Sequence, residues 1–93
     1  MRAKDFIRRF GKDNIIKNGS TVKLVRFGDE YQVYVRAGFK KRVSQNDLFL
    51  LDDFGRDPDR MLLRAERTRM ALYRAMRKET SARKMTRNGN KLK

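Results

Sequence analysis

Arg60, Arg64, Arg67, Arg74 and Lys78 stand at offsets of 4, 7, 14 and 18 residues from the first, each near a multiple of the helical repeat of about 3.6. Cationic groups aligned on one helix face attract anions, and the planar fork of arginine matches phosphate oxygens in pairs. The only acid between residues 60 and 78 is Glu66, and it falls to one side of the line. A helix that needs only a wet face gains from acid–base pairs four residues apart. A one-signed stripe accepts like-charge repulsion that an anionic partner would relieve. Arg83, Lys84 and Arg87 extend the basic pattern, and Lys40, Lys41 and Arg42 form a second cluster nearer the N-terminus. All of these are expected to contact phosphates.

Catalytic chemistry is not expected. Cysteine and histidine are both absent, which removes thiolate nucleophiles and the commonest zinc and general-base ligands. Asp52 and Asp53 are adjacent, so in a strand they point to opposite faces, whereas metal-assisted hydrolysis needs convergent carboxylates. Ser20, Ser44 and Ser81 have no histidine to activate them, and the glycines form no phosphate-binding loop. No metal and no cofactor are expected. Of the aromatic residues that single-strand readers use for base stacking, Tyr34 is expected to be exposed, since it alternates away from Val33 and Val35. Tyr31, Phe27 and Phe39 are expected in the core.

The elements that position these groups can be read from spacing. Ala3, Phe6, Ile7 and Phe10 recur at helical intervals and are followed by Gly11, a C-cap residue. Asn18-Gly19 suits a tight turn between two β-rich runs. The run 21–27, the turn Gly28-Asp29-Glu30 and the alternating "YQVYVRA" make a second hairpin. A short strand is expected in "FKKRV", one turn of helix at Ser44–Asp47, and a strand or helical turn in "LFLL" at 48–51. This strand order resembles a small SH3-like or KOW-like barrel over about residues 18–53, and an open antiparallel sheet covered by helices fits the same pattern. Asp57-Pro58 is a helix start, with aspartate as N-cap and proline at the first helical position. At 100° per residue, Met61, Leu62, Ala65, Leu72, Tyr73 and Met76 form a packing sector opposite the stripe, with Arg69 inside it. Leu63 and Met70 interrupt the basic face.

The expected whole is one α+β domain over residues 1–79, comprising a body (1–55) and a basic helix (57–79), followed by a flexible basic tail (80–93) whose composition has little apolar surface to offset its ordering entropy. The 93 residues carry 25 Lys+Arg against 11 Asp+Glu, a net charge of +14 and a pI near 11.0. The excess is uneven, with 12 basic and 7 acidic residues in 1–55 and 13 and 4 in 56–93. Such a field selects polyanions, and arginine's majority over lysine, 15 to 10, leans toward RNA over DNA. The expected function is non-enzymatic nucleic-acid binding inside the cell or within a viral particle. The alternative is an adaptor or structural subunit docking on an acidic protein. No secretory signal and no membrane span are expected, since the N-terminus is charged throughout and no run of about 18 apolar residues occurs.

Overall fold

The computed structural model describes the backbone of residues 1–40 and 42–92 and the side chains of residues 1–40 and 42–77. A single turn of 3₁₀ helix, Ala3–Asp5, leads into α1 (Phe6–Phe10). Gly11 ends α1 with a φ of 85° that an L side chain rarely adopts, and its N–H donates to the Ile7 carbonyl at 2.9 Å. After a second 3₁₀ turn, Lys12–Asn14, come the strands β1 (Ile15–Asn18), β2 (Val22–Phe27), β3 (Glu30–Arg36) and β4 (Phe49–Gly55). The chain then enters α2 (Pro58–Leu92).

The four strands form one antiparallel sheet in the order β1-β2-β3-β4. It is an open sheet, so of the two arrangements compatible with the sequence the covered meander is the one observed. Gly19 makes the first turn possible: a Cβ there would lie 2.6 Å from the Val22 carbonyl oxygen, which accepts the Gly19 N–H at 3.1 Å. The register Val22↔Val35 to Phe27↔Glu30 fixes the second hairpin. A bulge between Val33 and Tyr34 lets Asp52 fall out of step in β4, and such a bulge bends and twists the strand.

Each face of the sheet carries a helix and its own apolar cluster. One is Val22, Leu24, Val33 and Val35 beneath Met61 and Ala65 of α2, with Tyr31 and Leu62 at its margin. The other is Phe6 and Phe10 of α1 against Val25, Tyr34 and Phe49. The period-2 alternation of β-strands explains the division. Valines 33 and 35 face α2, whereas Tyr34 between them faces α1. The aromatic cluster is held edge to face, with Phe6 at 5.0 Å from Tyr34 and 5.7 Å from Phe49, an arrangement worth about 0.5–1.5 kcal/mol per pair beyond burial.

Two local expectations need correction, and one left open is resolved. Among the described residues of 39–43 there is no strand; side chains take the place of strand pairing, with the Arg69 guanidinium over the Phe39 ring and Arg36 donating to the Lys40 carbonyl. Ser44–Asp47 is a turn, not a helical turn. The Ser44 N–H donates to Asp47 Oδ2 at 2.8 Å and the Asn46 N–H to Ser44 Oγ at 3.1 Å, so the short polar side chains replace helical backbone bonds. The "LFLL" run is strand, but only Phe49 is buried, while Leu50 and Leu51 stand exposed along the outer strand.

Candidate functional site

Asp57 begins α2 as its spacing suggests. Its Oδ1 accepts the Arg60 N–H at 3.2 Å, and its carbonyl accepts the Met61 N–H at 3.1 Å. Capping of this kind contributes about 1 kcal/mol. It also fixes the rotation of everything downstream. Met61 and Ala65 turn inward, and the methyl side chain of Ala65, fully buried, allows the helix axis to approach the sheet closely.

With that rotation set, Arg60, Arg64, Arg67 and Arg74 project from the opposite side and all are exposed. Among the described residues no acid pairs with Arg60, Arg67 or Arg74. Arg64 faces Asp53 across 3.8 Å with most of its side chain in solvent, a contact too long and too wet to neutralise it. Glu66, the lone acid of this stretch, is turned away to Lys17 of β1 at 3.3 Å. Leu63 and Met70 are each about half exposed beside the stripe, and with Glu66, Arg67, Ala71 and Arg74 they line a shallow groove of about 340 Å³. The side chains of Lys78, Arg83, Lys84 and Arg87 lie outside the described residues, as does Lys41. The segment expected as a flexible tail, 80–93, coincides with the end of α2 as far as Leu92, and its side chains lie outside the described residues.

The packing sector is only half as long as its periodicity implies. Met61, Leu62, Ala65 and Arg69 meet the body, whereas Leu72 is 47% exposed and Tyr73, 43% exposed, reaches the body at the Phe39 ring. A strand of six or seven residues spans roughly 20–24 Å, and α2 at about 1.5 Å per residue outruns it after some four turns. Beyond the sheet, apolar positions have little to cover.

Arg69, the charged residue within that sector, is the joint between α2 and the loop after β3. Its two terminal nitrogens donate to the carbonyls of Arg36 and Gly38, both at 2.7 Å, and its guanidinium stacks over Phe39 at 4.1 Å. Phe39 in turn meets Tyr73 with ring centroids 6.0 Å apart. Burial, and secondarily the Arg36 charge, makes the guanidinium easier to deprotonate than usual. The clamp orders the approach to Lys40 and Arg42, both exposed. Arg69 lies about 180° around α2 from Arg60, so the loop cluster and the helix stripe are separate basic surfaces and do not merge.

Tyr34 requires a correction. It is 8% exposed, packed beneath Phe6 and Phe10, and its hydroxyl donates to Gln32 Oε1 at 2.7 Å. Burial raises the hydroxyl's pKa, with the nearby Arg9 charge pulling it back. Alternation correctly set Tyr34 opposite its valine neighbours, but that face is covered by α1, so the ring is no platform for a base.

The sequence also gave no hint of two buried cations. Lys23, in mid-strand, is 6% exposed, its amine 4.8 Å from the Phe49 ring centroid and 5.6 Å from that of Phe6. It donates to Asn18 Oδ1 and, at 3.2 Å, to the Gly19 carbonyl, and burial lowers its pKa. The amine lines a cavity of about 350 Å³ with Lys4, Asn18 and Gln45. Arg36, equally buried, faces Asp47 at 3.6 Å and donates to the Lys40 carbonyl at 3.2 Å. Lys23 becomes interior beneath Phe6 of α1, and Arg36 beside the loop between β3 and β4, and strand alternation reveals neither.

Among the described residues no group of three acidic side chains converges as metal ligands would, and no helix is long and apolar enough to cross a membrane. Compared with known proteins, the chain matches no family model, no curated protein and no solved structure.

Proposed function

We propose that the chain is a non-enzymatic nucleic-acid-binding module that attaches to phosphates through the outer face of α2, with RNA favoured over DNA by its arginine content. The observation that supports this most is the exposed row Arg60, Arg67 and Arg74, without an acid partner among the described residues. In a chain of +14, such a row concentrates the long-range field where side chains can reach phosphates. Arg64 joins the row by releasing its long contact to Asp53. Lys78, Arg83, Lys84 and Arg87 continue the phosphate-binding set along the chain, while Lys40, Lys41 and Arg42 offer a second contact from the loop. The reading requires neither a cofactor nor closure of the sheet into an SH3-like barrel, and it places the protein where nucleic acid is found, in the cell or in a viral particle.

Leu63 and Met70 favour a second reading. Half-exposed apolar residues flanking a basic stripe fit an acidic amphipathic helix of a protein partner, in which carboxylates meet the arginines and apolar side chains fill the groove. Electrophoretic mobility shifts with duplex DNA, single-stranded DNA and structured RNA at two salt concentrations separate the two. Binding that weakens steeply with salt supports phosphate attachment. Equal failure on all three nucleic acids contradicts it and leaves the acidic protein partner.

A further inference from the structure

The sheet face that carries α1 is only partly covered, because α1 is a helix of five residues lying on a four-stranded sheet. Residues paired across antiparallel strands share a face, so the register identifies what is left open. Gln32 pairs with Phe54, Tyr34 with Leu51, and Glu30 with Phe27. Each pair lies on the Tyr34 side. Independent contacts agree: the Phe27 ring meets Phe10 of α1 edge-on at 6.1 Å, while Asp53, one residue from Phe54, points the other way to Arg64 of α2. Phe54 is 65% exposed and Leu51 51%, and Phe27, expected in the core, is 54% exposed because α1 reaches only its edge. Phe27 and Phe54 sit two strands and about one pleat apart, roughly 12 Å between Cα atoms at ordinary sheet spacings, with Gln32 between them. Arg9, exposed, holds its guanidinium 5.8 Å from the Phe10 ring centroid at the rim of this surface.

We infer that this face is a stacking platform for unpaired bases of single-stranded nucleic acid, resting on the nucleic-acid reading above and adding to it a ligand class that the helix stripe does not select. Two exposed rings, spaced too far apart for one base to cover both, take two bases. The Gln32 amide between them, its oxygen held by the Tyr34 hydroxyl, turns its N–H donors to a base edge, and Arg9 meets a phosphate. Single-strand binding proteins combine these same elements, aromatic rings for bases and cations for the backbone. A second copy of the chain is disfavoured as the occupant, because it would bring another +14 of charge to the surface. Glu30 beside Phe27 and Asp29 in the adjoining turn are acids near that edge, so the phosphate path runs on the Arg9 side. The α2 stripe lies across the sheet from this platform, so the two surfaces hold different segments of a ligand.

The test uses the full chain with three labelled probes: a 12-nucleotide oligouridine, a 12-nucleotide oligoadenosine and a 20-base-pair duplex DNA. F27L/F54L keeps apolar volume and removes both rings. F54L alone is the second variant, since Phe54 is the more exposed and its loss spares the Phe10 contact. The platform predicts that single-strand affinity falls about tenfold per ring, while duplex affinity and the salt slopes stay unchanged because no phosphate contact is lost. Equal single-strand affinity for wild type and both variants overturns the platform and leaves phosphate attachment by α2 standing. Failure of the wild type to bind any probe overturns both. Self-association of the wild type in sedimentation, abolished in F54L without a change in single-strand binding, assigns the face to a second copy and overturns the platform.

Discussion

Replacing Arg69 by Met removes the joint between α2 and the loop while preserving an unbranched apolar stem that can still lie against the sheet. The two bonds at 2.7 Å to the Arg36 and Gly38 carbonyls involve a charged donor, a class worth about 1.5–3 kcal/mol each when well shielded. Stacking over Phe39 at 4.1 Å adds roughly 0.5–2 kcal/mol. Two effects reduce the total: the guanidinium is only partly buried and therefore screened, and the nearby Arg36 charge opposes it. A net loss of about 2–3 kcal/mol remains. For a domain of this size each kcal/mol moves the midpoint by about 4–8 °C, so R69M should melt roughly 10–20 °C below wild type. R69K keeps the charge but lacks the planar fork and should fall between them. Thermal melts followed by circular dichroism give the midpoint. Hydrogen exchange at the Ala37 amide, bonded to the Leu48 carbonyl at 2.9 Å, reports the loop directly. A midpoint for R69M within about 2 °C of wild type, which at this size is well under 1 kcal/mol, together with unchanged Ala37 protection, would refute the clamp.

Three further outcomes follow from packing, backbone geometry and ionisation. M61A empties a buried site between α2 and the sheet and should cost about 2–5 kcal/mol in denaturant unfolding, whereas L63A, on the exposed flank, should change stability by less than about 0.5 kcal/mol; equal effects would mean the helix is rotated otherwise. G19A forces a Cβ against the Val22 carbonyl oxygen at 2.6 Å and should destabilise by roughly 1–3 kcal/mol, seen as a lower midpoint in thermal melts. Asp52 has its pKa raised by burial and by Asp53, against the pull of Arg64. The folded state therefore binds its proton more tightly than the unfolded state, and this group stabilises the fold as pH falls through its folded pKa toward the ordinary aspartate value. D52N should melt higher than wild type at pH 7, and the advantage should vanish below about pH 3.5; a constant difference across that range would exclude the charge as the cause.

Local signals were legible in the chain because their causes are local. Gly11 after Phe10, Asn18-Gly19, the Gly28 turn and Asp57-Pro58 each mark an element end through backbone chemistry confined to a few residues. The orientation of the α2 stripe was also legible, since helical spacing alone determines that Arg60 and Met61 diverge. What could not be read depends on residues far apart meeting. Tyr34 and Lys23 alternate as outward residues of a half-covered sheet would, and become interior only because α1 packs across them. Leu72 carries the same periodicity as Met61, yet the length of the strands decides which of the two meets the sheet. Arg69 in the apolar sector marked an anomaly, but its partners are carbonyls of β3 and the following loop, which no side-chain pattern specifies. Phe54 followed an apolar run that resembled core, and its exposure comes from the shortness of a helix some fifty positions earlier.

The central claim, that the outer face of α2 binds phosphates, is tested most directly by comparing wild type with R60Q/R67Q/R74Q in the salt dependence of duplex DNA binding, with melting of the same variant as control. Each neutralised phosphate contributes about 0.9 to the slope of log affinity against log salt, so loss of three contacts should flatten that slope by about 3. The melting midpoint should stay the same or rise, because all three side chains are exposed and mutually repulsive. Unchanged affinity and unchanged slope in a variant that melts like wild type would contradict the claim and leave the stripe as a solvated surface.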